Sequence, residues 1–304
     1  MLSLHTNSAA LSAQNSIART QSSLSTSQTR LSTGFRVNSA MDDAAGLQIA
    51  TRLKAQTSGM AMAMRNTQNS ISLLQTAEGA FDEVSSMLTK MKDLATQAAD
   101  ASSTAKDQAA LQSEFDALGT ELNNIMKNST FGGAKLLDGG TIASAMTFQI
   151  GATGSEKMTI DLSTAMTNLT TGTGGLSTVS GRYAAPTTAT PGTEISDGTD
   201  GVLSASNAAG QTAANTTIDT INTAIDLVGA VRSSLGAAAN RLDHVYNNLS
   251  NISTNTKAAT GRIMDTDFAA ESSNMTASQM LLQAGTAMLK QSNSTSSLVM
   301  SLLQ

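Results

Sequence analysis

Phe268, Met275, Leu282, Leu289, Ser296 and Leu303 stand seven residues apart, with Leu281, Met288 and Leu302 on the row beside them. A seven-residue apolar repeat keeps one edge of a helix turned to a partner helix, turn after turn. A helix lying on a globular core follows a period nearer 3.6. The opposite end of the chain repeats the device. Leu4, Leu11 and Ala18 are spaced by seven, and Ile17, Leu24 and Leu31 continue at the same step one position earlier. Both ends are therefore predicted to be helices that present a seam to other helices.

The interior keeps the same step. Met60, Thr67, Leu74, Phe81, Leu88 and Ala95 form one row, and Leu111, Phe115, Leu118, Leu122 and Ile125 alternate steps of four and three. Towards the C-terminus, Ile221, Val228, Leu235, Leu242 and Leu249 make one row, and Val231, Ala238, Val245 and Ile252 another. Only Pro186 and Pro191 interrupt the chain, so neither flank contains a residue that must break a helix. Aromatics are 3% of the residues and tryptophan is absent. Ala, Leu, Ile, Val and 16 Met carry the apolar content instead, which suits long helices packed side by side.

Between the flanks the texture changes. Residues 147–162 alternate apolar and polar side chains around Gly151-Ala-Thr-Gly154 and read as a β-hairpin. Residues 163–216 are rich in Thr, Ser, Gly and Ala with little periodicity, and read as an exposed loop or a small β-excursion. The expected fold is mainly α: a long antiparallel helical coiled-coil or bundle rod with a small β-hairpin region, its termini paired at one end.

Charge narrows the function. A net charge of -5 and a pI near 5.0 are opposite to what phosphate neutralisation requires, which excludes a nucleic-acid binder. With no cysteine there is no disulfide framework and no thiolate metal site. The N-terminus has no basic segment followed by an apolar one, and no stretch reaches a membrane-spanning length. Neither a Sec signal nor a membrane anchor is expected. No acidic residue precedes Asp42, and after Glu271 the only charge is Lys290. Nearly uncharged helical ends point to segments covered on more than one side; the competing reading is disorder of these ends in the free monomer.

Catalytic constellations are missing. His5 and His244 stand alone, and there is no phosphate loop, dinucleotide fingerprint or nucleophile elbow. Asp42 and Asp43 precede a helical pattern at Ala44 and are expected to meet its positive end. No enzyme, catalytic residue, metal ligand or cofactor is expected.

The run RLSTGFRVNSA at 30–40 followed by DDAAGL at 42–47 resembles the N-terminal signature of bacterial flagellins. ISLLQTAEGA at 71–80, FGGAKLLDG at 131–139 and FQIGA at 148–152 continue the likeness in order. LGAAANRL at 235–242, LQAGTAML at 282–289 and the closing SLLQ at 301–304 complete it. The resemblance covers about residues 1–162 and 217–304.

The resemblance implies a structural subunit of the extracellular bacterial flagellar filament, self-assembling into a helical tube for motility and exported unfolded by the flagellar type III route. It divides the chain into a terminal coiled-coil domain (1–42 with 264–304), a helical rod domain with the β-hairpin (43–170 with 210–263) and a short variable surface region (171–209). Filament packing falls to Leu4, Leu11, Leu24, Leu31, Phe268, Met275, Leu282, Leu289 and Leu303. The implied partners are copies of the same chain, an export chaperone, filament cap and hook-junction proteins, and the vertebrate Toll-like flagellin receptor. Leu88, Lys90, Lys92, Leu94 and Glu114 stand where the family meets that receptor, with lysines at 90 and 92 in place of arginines. The alternative is a secreted coiled-coil effector or needle-tip binding protein, which shares the helical repeats but leaves the paired terminal signatures unexplained.

Overall fold

The structure, a computed structural model, describes residues 7–184, 192–194 and 208–302, with side chains to 183 and from 209 to 294 in the flanking helices. Leu4, His5, Pro186, Pro191, Leu303 and most of 171–209 lie outside the described residues. The protein is mainly helical. Its elements are α1 (Ser8–Thr33), α2 (Ala44–Ala98), α3 (Ala105–Asn128), β1 (Thr130–Phe131), β2 (Ala134–Lys135), β3 (Met146–Gln149), β4 (Lys157–Ile160), α4 (Ser163–Thr171), α5 (Leu176–Val179), α6 (Gly181–Ala184), α7 (Ala208–Met264) and α8 (Phe268–Leu302). They fall into two compact units, residues 59–251 and residues 1–58 with 252–304.

In residues 59–251 the seven-step rows are the core. Met60, Thr67, Leu74, Phe81, Leu88 and Ala95 of α2 are all buried, as are Ile221, Val228, Leu235, Leu242 and Leu249 of α7. Met60 packs with Leu249, and Asp82 pairs with Arg232 at 3.0 Å; numbers rise in α2 as they fall in α7, so the two run antiparallel. Lys90 to Glu114 at 3.2 Å, and Gln108 Nε2 donating to the Ala98 carbonyl at 2.9 Å, place α3 antiparallel to α2 in the same way. Thr104 starts α3 with a capping box: its hydroxyl accepts from Asp107 N, and the Asp107 carboxylate accepts from Thr104 N at 3.0 Å.

Two short hairpins follow α3. β1 and β2 are joined by Gly132 and Gly133, both at positive φ (59° and 85°), the backbone that a two-residue hairpin loop requires and that glycine adopts without strain. β3 and β4 pair antiparallel, with Met146 opposite Ile160 and Phe148 opposite Met158. Met146, Met158 and Ile160 are buried in the core. In the connecting loop, Ala152 reaches Met60 and Leu249.

Residues 163–184 differ from the loop or β-excursion that composition predicts. They form α4, α5 and α6 and bury Leu169, Leu176, Val179 and Tyr183. The segment is held by polar bonds: Asn123 donates to the Tyr183 carbonyl, and Asp116 pairs with Arg182 at 3.1 Å. Residues 192–194 are pinned to the same place. Gly192 N donates to Asp116 at 2.9 Å, Gln112 donates to the Glu194 carboxylate at 2.8 Å, and Thr217 donates to the Glu194 carbonyl at 2.5 Å.

The unit of residues 1–58 with 252–304 is built on α1 and α8. Asn7 caps α1, its side chain accepting from Ala10 N at 3.1 Å. Along α1, Ser16, Thr20, Ser23, Thr26, Thr29 and Thr33 each donate a hydroxyl to the carbonyl four residues back, at 2.9–3.1 Å. Gly34 closes the helix at φ 75°, with its N–H on the Arg30 carbonyl.

Candidate assembly surface

α1 and α8 pack together antiparallel. Asn7 Nδ2 donates to the Ser292 carbonyl at 3.3 Å, Ile17 lies against Gly285, and Arg30 stands 3.8 Å from Glu271. The side chains between them are Ile17, Leu24 and Leu31 from α1, and Met275, Leu282 and Leu289 from α8. All six are half-buried. Gly285 permits this approach, because a Cβ there would sit 2.9 Å from Ile17 Cγ1. The C-terminal seven-step row thus faces α1 along Met275, Leu282 and Leu289. In α1 the facing row is Ile17, Leu24 and Leu31, and Leu11 is turned outward.

Among the described side chains of α1 and α8, only Ala10, Ser27 and Glu271 are buried. Leu11, Phe268, Met280, Leu281 and Met288 each leave more than half of their surface exposed. Leu11 and Phe268 carry the repeat that makes them legible as packing residues. Met280 belongs to neither row, and no sequence signal marks it.

The connection from α1 to α2 is fixed to the end of α7. Phe35 bridges Asp265, Arg36 N donates to the Met264 carbonyl at 2.6 Å, and Arg36 Nη2 donates to the Ile263 carbonyl at 2.7 Å. The two aspartates divide their work. Asp43 accepts from Gly46 N at 2.8 Å, as expected of an acidic residue at the head of a helix. Asp42 holds the turn before it, accepting from Asn38 N, Ser39 N and the Ser39 hydroxyl at 3.0, 2.9 and 3.1 Å. Those donors keep its carboxyl below the ordinary value.

A second surface lies on α2 and α3. Lys90 and Glu114 are exposed and paired, and Lys92 is half-buried. Leu88 is 0% and Leu94 7% exposed. As residues that touch a partner these two leucines are corrected: the step of seven puts Leu88 in the core, which leaves Lys90, Lys92 and Glu114 at the surface. His244 is exposed on α7, and no cluster of metal-ligating side chains occurs among the described residues. No described helix is long and apolar enough to cross a membrane.

Comparison with known proteins agrees with this architecture. Residues 4–141 match the family model for the bacterial flagellin N-terminal helical region, and residues 218–303 match that for the C-terminal helical region. Polar flagellin F of Vibrio parahaemolyticus is 46% identical over 167 residues, 55% of this chain and 44% of the relative. The B-type flagellin of Pseudomonas aeruginosa is 46% identical over 166 residues, 54% of this chain and 33% of the relative. The chain covers less than half the length of these relatives. A solved structure assigned to a flagellar hook-associated protein of Vibrio parahaemolyticus aligns with a TM-score of 0.56 over 74% of this chain and 100% of that one; at 15% identity the likeness is one of fold. With both family models matched in order across most of its length, the chain belongs to the bacterial flagellin family.

Proposed function

We propose that the protein is a structural subunit of the bacterial flagellar filament, assembling with copies of itself into an extracellular helical tube that serves motility. The family is one of structural proteins, not enzymes. One contrast carries the reading. Residues 59–251 bury a large core and a smaller cluster around Met60 and Leu249, whereas α1 and α8 bury almost nothing beyond their shared seam. Such helices gain when a neighbour stacks on them, by about 1.5–3 kcal/mol for each side chain like Leu281 that is fully covered. Contacts between unlike faces that advance each copy along an axis do not close into a ring, and in this proposal addition continues as a helical tube.

In this proposal residues 1–42 with 264–304 form the inner wall through Leu4, Leu11, Leu24, Leu31, Phe268, Met275, Leu282, Leu289 and Leu303. Residues 43–170 with 210–263 form the rod domain, to which Leu176, Val179 and Tyr183 of the region beyond 170 also add core side chains. An export chaperone would cover α8 before type III export, and cap and hook-junction proteins would meet the same terminal helices. Family membership leaves the coiled-coil effector or needle-tip alternative without support. The test is seeded growth of the purified chain, followed by sedimentation and negative-stain imaging. Long uniform tubes are expected; a chain that stays monomeric on fresh seeds overturns the proposal.

The lysine-bearing face of α2 is proposed to meet the Toll-like flagellin receptor through Lys90, Lys92 and Glu114. A lysine keeps the charge of an arginine but lacks its planar fork, so Lys90→Arg should tighten binding by no more than about 1–2 kcal/mol. Undetectable binding by the monomer, unchanged by that substitution, would remove the receptor from the list of partners.

A further inference from the structure

The chain has 16 methionines and no cysteine, so thioethers are the side-chain sulfur that an oxidant meets. Susceptibility to oxidation follows exposure, and the fold sorts these residues widely. Met91 is 0% and Met126 1% exposed inside the core of residues 59–251. Met288 is 68%, Met280 59% and Met41 97% exposed. Met280 and Met288 differ from Met41 in their setting. They stand on α8 with Leu281, itself mostly exposed and one seven-residue step before Met288, and together the three form an apolar strip that α1 leaves open.

We infer that Met280 and Met288 are an oxidation site through which a peroxide withdraws unassembled chains from copy-to-copy assembly. The inference rests on the filament reading of α8 given above. In the reaction, a thioether sulfur lone pair attacks one oxygen of hydrogen peroxide. The S–O bond forms, the O–O bond breaks, and the departing hydroxide leaves as water after proton transfer. Sulfur is oxidised by two electrons and the peroxide is reduced by the same two. The product sulfoxide places a polar S=O acceptor where the strip offers only apolar surface. Covering it in an interface that supplies no donor is unfavourable. Chains already stacked in a filament have the strip covered and react slowly, so the chemistry distinguishes free subunits from assembled ones.

The experiment uses the full-length purified chain and hydrogen peroxide, with peptide mass spectrometry after quenching. Met280 and Met288 should convert well ahead of Met91 and Met126. Seeded elongation of the oxidised chain should fall by about tenfold or more. The Met280→Leu/Met288→Leu chain, which keeps the apolar volume, should elongate equally well before and after the same treatment. Methionine sulfoxide reductases should restore the oxidised wild-type chain, an arm that stands even if the leucine variant assembles poorly. Unimpaired elongation with both methionines oxidised overturns the inference, as does an equal loss in the leucine variant or a failure of reduction to restore growth. If untreated chains never elongate, the filament reading itself falls and takes the inference with it.

Discussion

The Asp116 carboxylate lies 3.1 Å from Arg182 Nε, across 66 residues of sequence, with nearly nine-tenths of both side chains covered. The same carboxylate accepts from Gln112 Nε2 and Gly192 N, both at 2.9 Å. One side chain on α3 thus collects donors from its own helix, from α6 and from residues 192–194.

Removing a partner from a covered ion pair leaves a charge that water cannot reach. Asp116→Ala should lower the unfolding free energy by about 3 kcal/mol. The urea midpoint followed by circular dichroism measures it. A midpoint within error of the parent would show that the pair contributes nothing net.

Leu282→Asp and Leu289→Asp should abolish seeded growth while the core of residues 59–251 stays folded, because each puts a carboxylate into the α1–α8 seam. The cost of covering it without a partner is several kcal/mol. Pelleting assays and thermal melts read the two properties separately. Normal filaments from either variant would contradict the seam.

Gly285→Ala tests the approach of α1 to α8. The new Cβ would come 2.9 Å from Ile17 Cγ1, tighter than carbon atoms tolerate, so Ile17 must shift or the helices must part. Alanine is the better helix former by about 1 kcal/mol, which opposes the steric cost. The expected outcome is weaker assembly, relieved when Gly285→Ala is paired with Ile17→Ala, which removes the clashing Cγ1. Growth unchanged by Gly285→Ala would show that the spacing is not tight.

Acid should destabilise the fold through a set of carboxylates that accept local hydrogen bonds. Asp107, Asp161 and Glu156 are all held below their ordinary values, chiefly by side-chain and backbone donors from Thr104, Ser163 and Thr153 respectively. A carboxyl with a lowered folded-state value contributes its full stability above the ordinary carboxylate pKa. That contribution is lost as pH falls through the lowered one. Asp107→Asn should therefore reduce the slope of stability against pH on the acid side and leave it unaltered above neutrality. Melting temperatures across the acid range provide the check.

The helical rows were readable because nothing intervenes in them. Met60 to Ala95 and Ile221 to Leu249 keep an unbroken period, and burial follows it residue by residue. In α1 the period was legible but not its direction. Two adjacent rows, one through Leu11 and one through Ile17, fit the same spacing, and only the partner helix decides that Ile17 faces inward. Leu169, Leu176, Val179 and Tyr183 were hidden because glycine and threonine between them suppress any helical signature, so the core claims them through long-range packing. Asp116, Arg182 and Glu194 follow no local rule at all, since their partners are set by the path of the chain between them.

The hydroxyls of Ser16, Thr20, Ser23, Thr26, Thr29 and Thr33 are already satisfied by their own helix. A donor bonded within its own backbone strands nothing when the surrounding water leaves. These six positions of α1 are for that reason amphibious: their oxygens lie open to water on the lone chain, and their donors need no new partner when a neighbour encloses them.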